Sequence, residues 1–114
     1  MVVEYICYRI DADLGEEFER AYTEAGSLLT ASSHCRAHEV ARGVEDPETY
    51  IVRIEWDSID GHERGFRTSA EFGEFLSAVK PFFDDIQEMR HYELLLGHAK
   101  LSREHELMGV TGAD

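Results

Sequence analysis

Trp56 is the single tryptophan of the chain, and His62 and Arg67 follow it closely. Asp57, Ser58 and Asp60 fill the turn just beyond the indole. A large flat side chain at a strand end, with polar groups after it, suits the wall of a small-molecule pocket. It equally suits a core position whose indole N–H has found a carbonyl. His62 has the right side chain for a general base near neutral pH, or it is an exposed or turn-capping histidine. Arg67 falls at a break between two helical stretches, where it could hold an anion or cap helix carbonyls. His91 and Tyr92 are adjacent on a strand and so point to opposite faces, one toward a pocket and the other toward an interface. Tyr5 or Tyr8 could add a phenol from the first strand.

Other chemistries find less support. His34 and His38 share a strand face, but four strand residues span about 13 Å, too far for two ligands of one ion. Cys7 and Cys35 lack any C-x-x-C spacing and read as small buried hydrophobes. No glycine-rich phosphate loop, nucleophile elbow or paired-carboxylate motif is present. No metal site is expected.

These residues need elements to position them. Val2–Ile10 reads as a strand that is apolar on both faces, as in a sheet covered on both sides. Asp13 and Glu16 have the spacing of a capping box, followed by Leu14, Phe18, Tyr22, Ala25 and Leu29 at helical spacing to about Ala31-Ser32. His34–Val44 reads as a second strand, whose small residues Cys35, Ala37 and Ala41 suggest helices lying close on their side. The loop Glu45–Glu48 turns the chain into Tyr50–Trp56. A short helix, about Ile59–Phe66, precedes another capped by Thr68 or Ser69, carrying Phe72, Phe75, Leu76 and Val79 and ended or kinked by Pro81. Glu88–Leu96 is the last strand.

The order is β-α-β-β-α-β, an α+β ferredoxin-like arrangement with an antiparallel sheet in the order 4-1-3-2 and both helices on one face. The other face then needs cover, most simply a second copy of the same sheet in a homodimer. Arg53 and Glu55 would lie in that interface, paired with each other or across it.

The 114 residues suit one domain, and 24 acidic against 11 basic residues give a formal charge of −13. That balance repels nucleic-acid backbones and anionic membranes, so neither is an expected partner. No apolar run is long enough to span a membrane and no signal-peptide pattern opens the chain, so cytoplasmic residence is the default expectation.

The element order, the segment YIVRIEWDSIDGHERGFRTSAEF and the strand IQEMRHYE together resemble the antibiotic biosynthesis monooxygenase (ABM) domains, which are dimeric α/β-barrel proteins. The resemblance covers about residues 2–94. It divides the chain into a domain at 1–96 and a C-terminal arm at 97–114, where Leu101, Leu107 and Met108 could form an amphipathic turn. It implies a homodimer with one pocket per subunit between sheet and helices, walled by Trp56, with Tyr92, Tyr5 and Phe72 of the Ser69-Ala70-Glu71-Phe72 element as further substrate-binding residues. It also implies a cofactor-independent monooxygenase that acts on a small phenolic or quinol substrate with molecular oxygen as co-substrate. His62 or His91 would abstract the proton and Arg67 would stabilise the anion. Haem-degrading relatives use an Asn, Trp and His set of which only the Trp matches, since Tyr5 to Tyr8 and Gly65-Phe66 occupy the other places. A dimer that binds a small aromatic or haem without chemistry, or one that is purely structural or regulatory, is the alternative.

Overall fold

The computed structural model describes residues 1–97. The arm expected at 97–114 lies, but for Gly97, outside the described residues. The chain forms β1 (Val2–Arg9), α1 (Gly15–Ala31), β2 (Cys35–Arg42), β3 (Thr49–Trp56), a π-helix (Gly61–Phe66), α2 (Ala70–Val79), a 3-10 segment (Lys80–Asp85) and β4 (Ile86–Glu93). The strands make one antiparallel four-stranded sheet in the order β2-β3-β1-β4. This is the ferredoxin-like α+β arrangement read from the sequence.

The core lies between one sheet face and the helices. Ile6, Tyr8 and Ile10 of β1 and Tyr50, Val52, Ile54 and Trp56 of β3 meet Phe18, Tyr22, Ala25 and Leu29 of α1 and Phe75 and Val79 of α2. The strand residues alternate because successive side chains leave a strand on opposite sides, and the α1 residues recur at the helical period. Phe18 anchors the packing, with its ring 4.6–5.2 Å from those of Tyr8, Tyr22, Tyr50 and Phe82. Tyr8 and Tyr22 join their buried hydroxyls in a 2.6 Å hydrogen bond.

Four local expectations are corrected. Asp13 does not cap α1: residues Ala12–Leu14 form a 3-10 turn and α1 starts at Gly15 with no side-chain cap. The Ala12 N–H is instead taken by Glu48 at 3.1 Å, so the start of α1 is tied to the β2–β3 loop. The helices do not lie over Ala37 and Ala41. Cross-strand partners put His38, Val40 and Arg42 on the side of Ile54, Val52 and Tyr50, and a register shift between Cys35 and Ala37 brings Cys35 opposite Trp56. The small residue that lets α1 approach is on the helix, where a Cβ on Gly26 would come within 3.0 Å of the His38 ring. β4 begins at Ile86 and ends at Glu93, earlier than expected, and Leu95 and Leu96 are exposed. Cys7 and Cys35 are free thiols, half-buried rather than buried, on strands separated by β3.

Candidate functional site

Strand register assembles the site. In the β1–β4 pair Glu4 stands opposite His91, and in the β1–β3 pair Val2 stands opposite Trp56. Glu4, Trp56 and His91 therefore share the helix-facing side of the sheet. The π-helix brings the fourth member. Its wider turn is closed by the Arg67 N–H bonding to the His62 carbonyl, five residues back, at 3.1 Å. His62 and Phe66 are thereby both buried against Trp56. The approach is close: a Cβ on Gly65 would run into the His34 ring, and one on Gly61 into Asp57.

The side chains interlock. The His62 ring stacks on Trp56 with centroids 4.4 Å apart and planes 12° from parallel. The Trp56 Nε1–H donates to Glu4 Oε1 at 3.0 Å. His62 Nδ1 and His91 Nε2 share a 2.9 Å hydrogen bond. Glu4 is 3.7 Å from each histidine, through Oε1 to His62 Nε2 and through Oε2 to His91 Nε2. Glu4 and His62 are only 3% and 4% exposed, whereas His91 reaches partly into solvent.

Burial sets the charge states. It pushes the Glu4 carboxyl up, against the Trp56 hydrogen bond and the charges of His91 and Arg67. It pushes His62 down to about 4, helped by the positive charges of His91 and Arg67. His62 is therefore neutral at pH 7, with a nitrogen lone pair free. Burial also pushes up the phenols of Tyr8 and Tyr22, which stay protonated.

A cavity of about 250 Å³ opens beside these groups, between the sheet and α2. Its walls are mainly apolar, including Ile6, Phe66, Phe72, Phe75 and Leu76, and its polar atoms come from Glu4, His62, Arg67, Tyr8 and Tyr22. Of the residues singled out from the sequence, Trp56, His62, Arg67 and Phe72 line this cavity, and His91 stands behind His62. Tyr5 and Tyr92 do not. They lie edge to face on the opposite side of the sheet, because an odd-numbered β1 residue and the β4 residue next to His91 must point away from Glu4. Sequence reasoning missed Glu4. Its signal was a lone carboxylate on a strand face that otherwise holds Val2, Ile6, Tyr8 and Ile10.

The family model for antibiotic biosynthesis monooxygenase matches residues 1–78. The chain belongs to the ABM family. The uncharacterized Bacillus subtilis (strain 168) protein YczJ is 26% identical to it over 93 residues, which is 82% of this ABM chain and 98% of the relative. Solved structures share the fold. A Bordetella bronchiseptica protein named for the same family superposes with a TM-score of 0.72 at 24% identity, covering 83% of this chain and 97% of that one. SnoaB from Streptomyces nogalater, a cofactor-independent oxygenase solved in a mutant form, gives a TM-score of 0.72 at 13% identity over 87% and 97% of the two chains. Among the described residues, no helix is long and apolar enough to cross a membrane.

Proposed function

We propose that this ABM protein is a cofactor-independent monooxygenase that oxidises a small phenolic or quinol substrate in the cavity beside Trp56. The observation that carries the reading is an apolar cavity whose polar wall is the bonded set Trp56, Glu4, His62 and His91. The ring of the substrate lies among Trp56, Phe66 and Phe72. With His91 in its neutral form accepting the His62 Nδ1–H at its Nε2, His62 Nε2 is the free acceptor for the phenol proton. The Nδ1 proton then passes to His91 and on to solvent. A base pushed down to about 4 is weak, so the guanidinium of Arg67 is needed to stabilise the phenolate. The anion gives one electron to oxygen, and the radical pair joins through a new C–O bond. Loss of water leaves a quinone, so phenol plus O2 becomes quinone plus water. The enclosed apolar walls orient the ring and keep bulk water from the anion.

Oxygen uptake with a panel of phenols and quinols tests this reading. Uptake should fall at least about 100-fold in His62→Ala, the usual scale of a general base, and Trp56→Phe should raise KM. Uptake unaffected by both substitutions would overturn the assignment. The cavity volume favours a compound of one or two rings over a macrocycle such as haem, and a haem titration is expected to show no Soret shift.

The open sheet face supports a homodimer. Tyr5 and Tyr92, 39% and 48% exposed, flank the half-buried Arg53–Glu55 ion pair there. Native mass spectrometry is expected to give twice the chain mass.

A further inference from the structure

Among the described residues, the cluster of Glu4, His62 and His91 has a property that the oxygenase reading does not use. One ligand atom from each of the three lies within 4.8 Å of the other two. We propose that these three side chains form a binding site for a single divalent transition-metal ion, of the zinc or cobalt type, in the cavity wall.

Two imidazoles and a carboxylate are one of the recurring three-residue donor sets of zinc sites that keep a position open. A tetrahedral ion with metal–ligand distances of about 2.0–2.1 Å holds its ligand atoms about 3.3 Å apart. Around His91 Nε2 the observed separations are 2.9 Å to His62 Nδ1 and 3.7 Å to Glu4 Oε2, on either side of that value. Small ring rotations that turn both nitrogen lone pairs from each other toward a shared point complete the set. The sheet already sets two of the three ligands side by side, because Glu4 and His91 are cross-strand partners. Charge favours the ion too, because a buried carboxylate with an imidazole nitrogen of each histidine 3.7 Å away would gain a metal cation as a direct partner. The Trp56 N–H on Glu4 Oε1 leaves Oε2 free and holds the carboxylate in place, as an outer-shell donor does.

This inference does not rest on the oxygenase reading. The two are alternative states of one site, since His62 and His91 cannot hold an ion and pass a proton together. A bound ion therefore silences the proton path, and chelator restores it.

The test uses untagged, chelator-stripped full-length protein titrated with Co2+ and then Zn2+. Cobalt absorption and bound metal by mass spectrometry report the site, and the emission of Trp56, stacked on His62, reports its position. One ion per chain is expected, with Trp56 quenched by Co2+ and recovered when Zn2+ displaces it. His91→Ala and Glu4→Gln should each weaken binding by at least the about 10–100-fold that losing an outer-shell partner costs. Thermal melts without metal check that both variants fold. A variant lacking His98 and His105, and separately His34→Ala, should bind as the parent does. No saturable binding, binding that survives both His91→Ala and Glu4→Gln, or binding lost with His34 or the two C-terminal histidines would overturn the site. Saturable metal binding by a protein whose chelator-stripped form takes up no oxygen with any phenol or quinol of the panel would leave this site standing and sink only the oxygenase reading.

Discussion

Alternate residues of β1 face opposite ways and meet opposite conditions. Glu4, Ile6 and Tyr8 lie under the helices, where every neighbour is fixed and the one carboxylate is buried against an indole and two imidazoles. Tyr5 and Arg9 face outward, where Arg53 bonds Tyr5 and Glu55, and Arg9 bridges the exposed Asp46 and Glu48. Both faces carry acids, bases and aromatic rings. Only on the helix side does burial hold a histidine neutral at pH 7 and push a carboxyl up. On the open face water screens the charges, and Arg53 and Arg9 each have an acid beside them. Reactive potential here follows from which face is desolvated, not from which residue types are present.

The comparison is broken most directly at Trp56. Trp56→Ala empties the centre of the covered face and orphans the Glu4 hydrogen bond, and should cost about 3–5 kcal/mol in denaturant unfolding. An effect under about 1 kcal/mol would mean that face is not tightly packed. Next comes the open face. Arg53→Glu sets like charges beside Glu55 on the face proposed to pair with a second copy, where the two would become buried. On the scale of about 3 kcal/mol for breaking a buried pair it should weaken that proposed self-association about 100-fold. Sedimentation equilibrium reads this, and unchanged association would place the dimer contact elsewhere.

The pH dependence of stability separates the faces further. His62 has a folded-state value of about 4 against an ordinary 6.5, so the unfolded chain takes up its proton first as pH falls. Stability contributed by neutral His62 is present above pH 6.5 and lost between pH 6.5 and 4, about 2 kcal/mol of it by pH 5. Glu4, pushed the other way, opposes this by favouring the folded state at low pH. His62→Gln should flatten the slope of unfolding free energy between about pH 7 and 5. An equal slope in parent and variant would show that His62 titrates normally. The smallest effect is expected from Tyr5→Phe, which removes only a 3.3 Å bond from Arg53 on the open face. Ligand affinity in the cavity should stay within about twofold, because the altered atom lies across the sheet; a larger change would couple the two faces.

Much of the framework was legible because alternation and helical periodicity are local. Tyr50, Val52, Ile54 and Trp56 had to share a face, and Phe18, Tyr22, Ala25 and Leu29 a stripe. The capping box failed because a tertiary contact, Glu48 on the Ala12 N–H, competed for the same turn. The choice of face for β2 failed because Ala37 and Ala41 are small enough for either side, and the register shift near Cys35 carried no local mark. For the site, the residue types around Trp56 were legible, but the partners of His62 were not.

The sequence by itself determined the element order, the acidic surface and the alternation that puts Tyr92 opposite to His91, since these depend on neighbours a few residues apart. Tertiary structure alone decided that Glu4, Trp56, His62 and His91 meet. Strand pairing set Glu4 against His91 from the far ends of the described chain, and the π-turn carried His62 onto Trp56. The burial that keeps His62 neutral is a property of that assembly, because desolvation depends on everything packed around a group and not on the group's own identity.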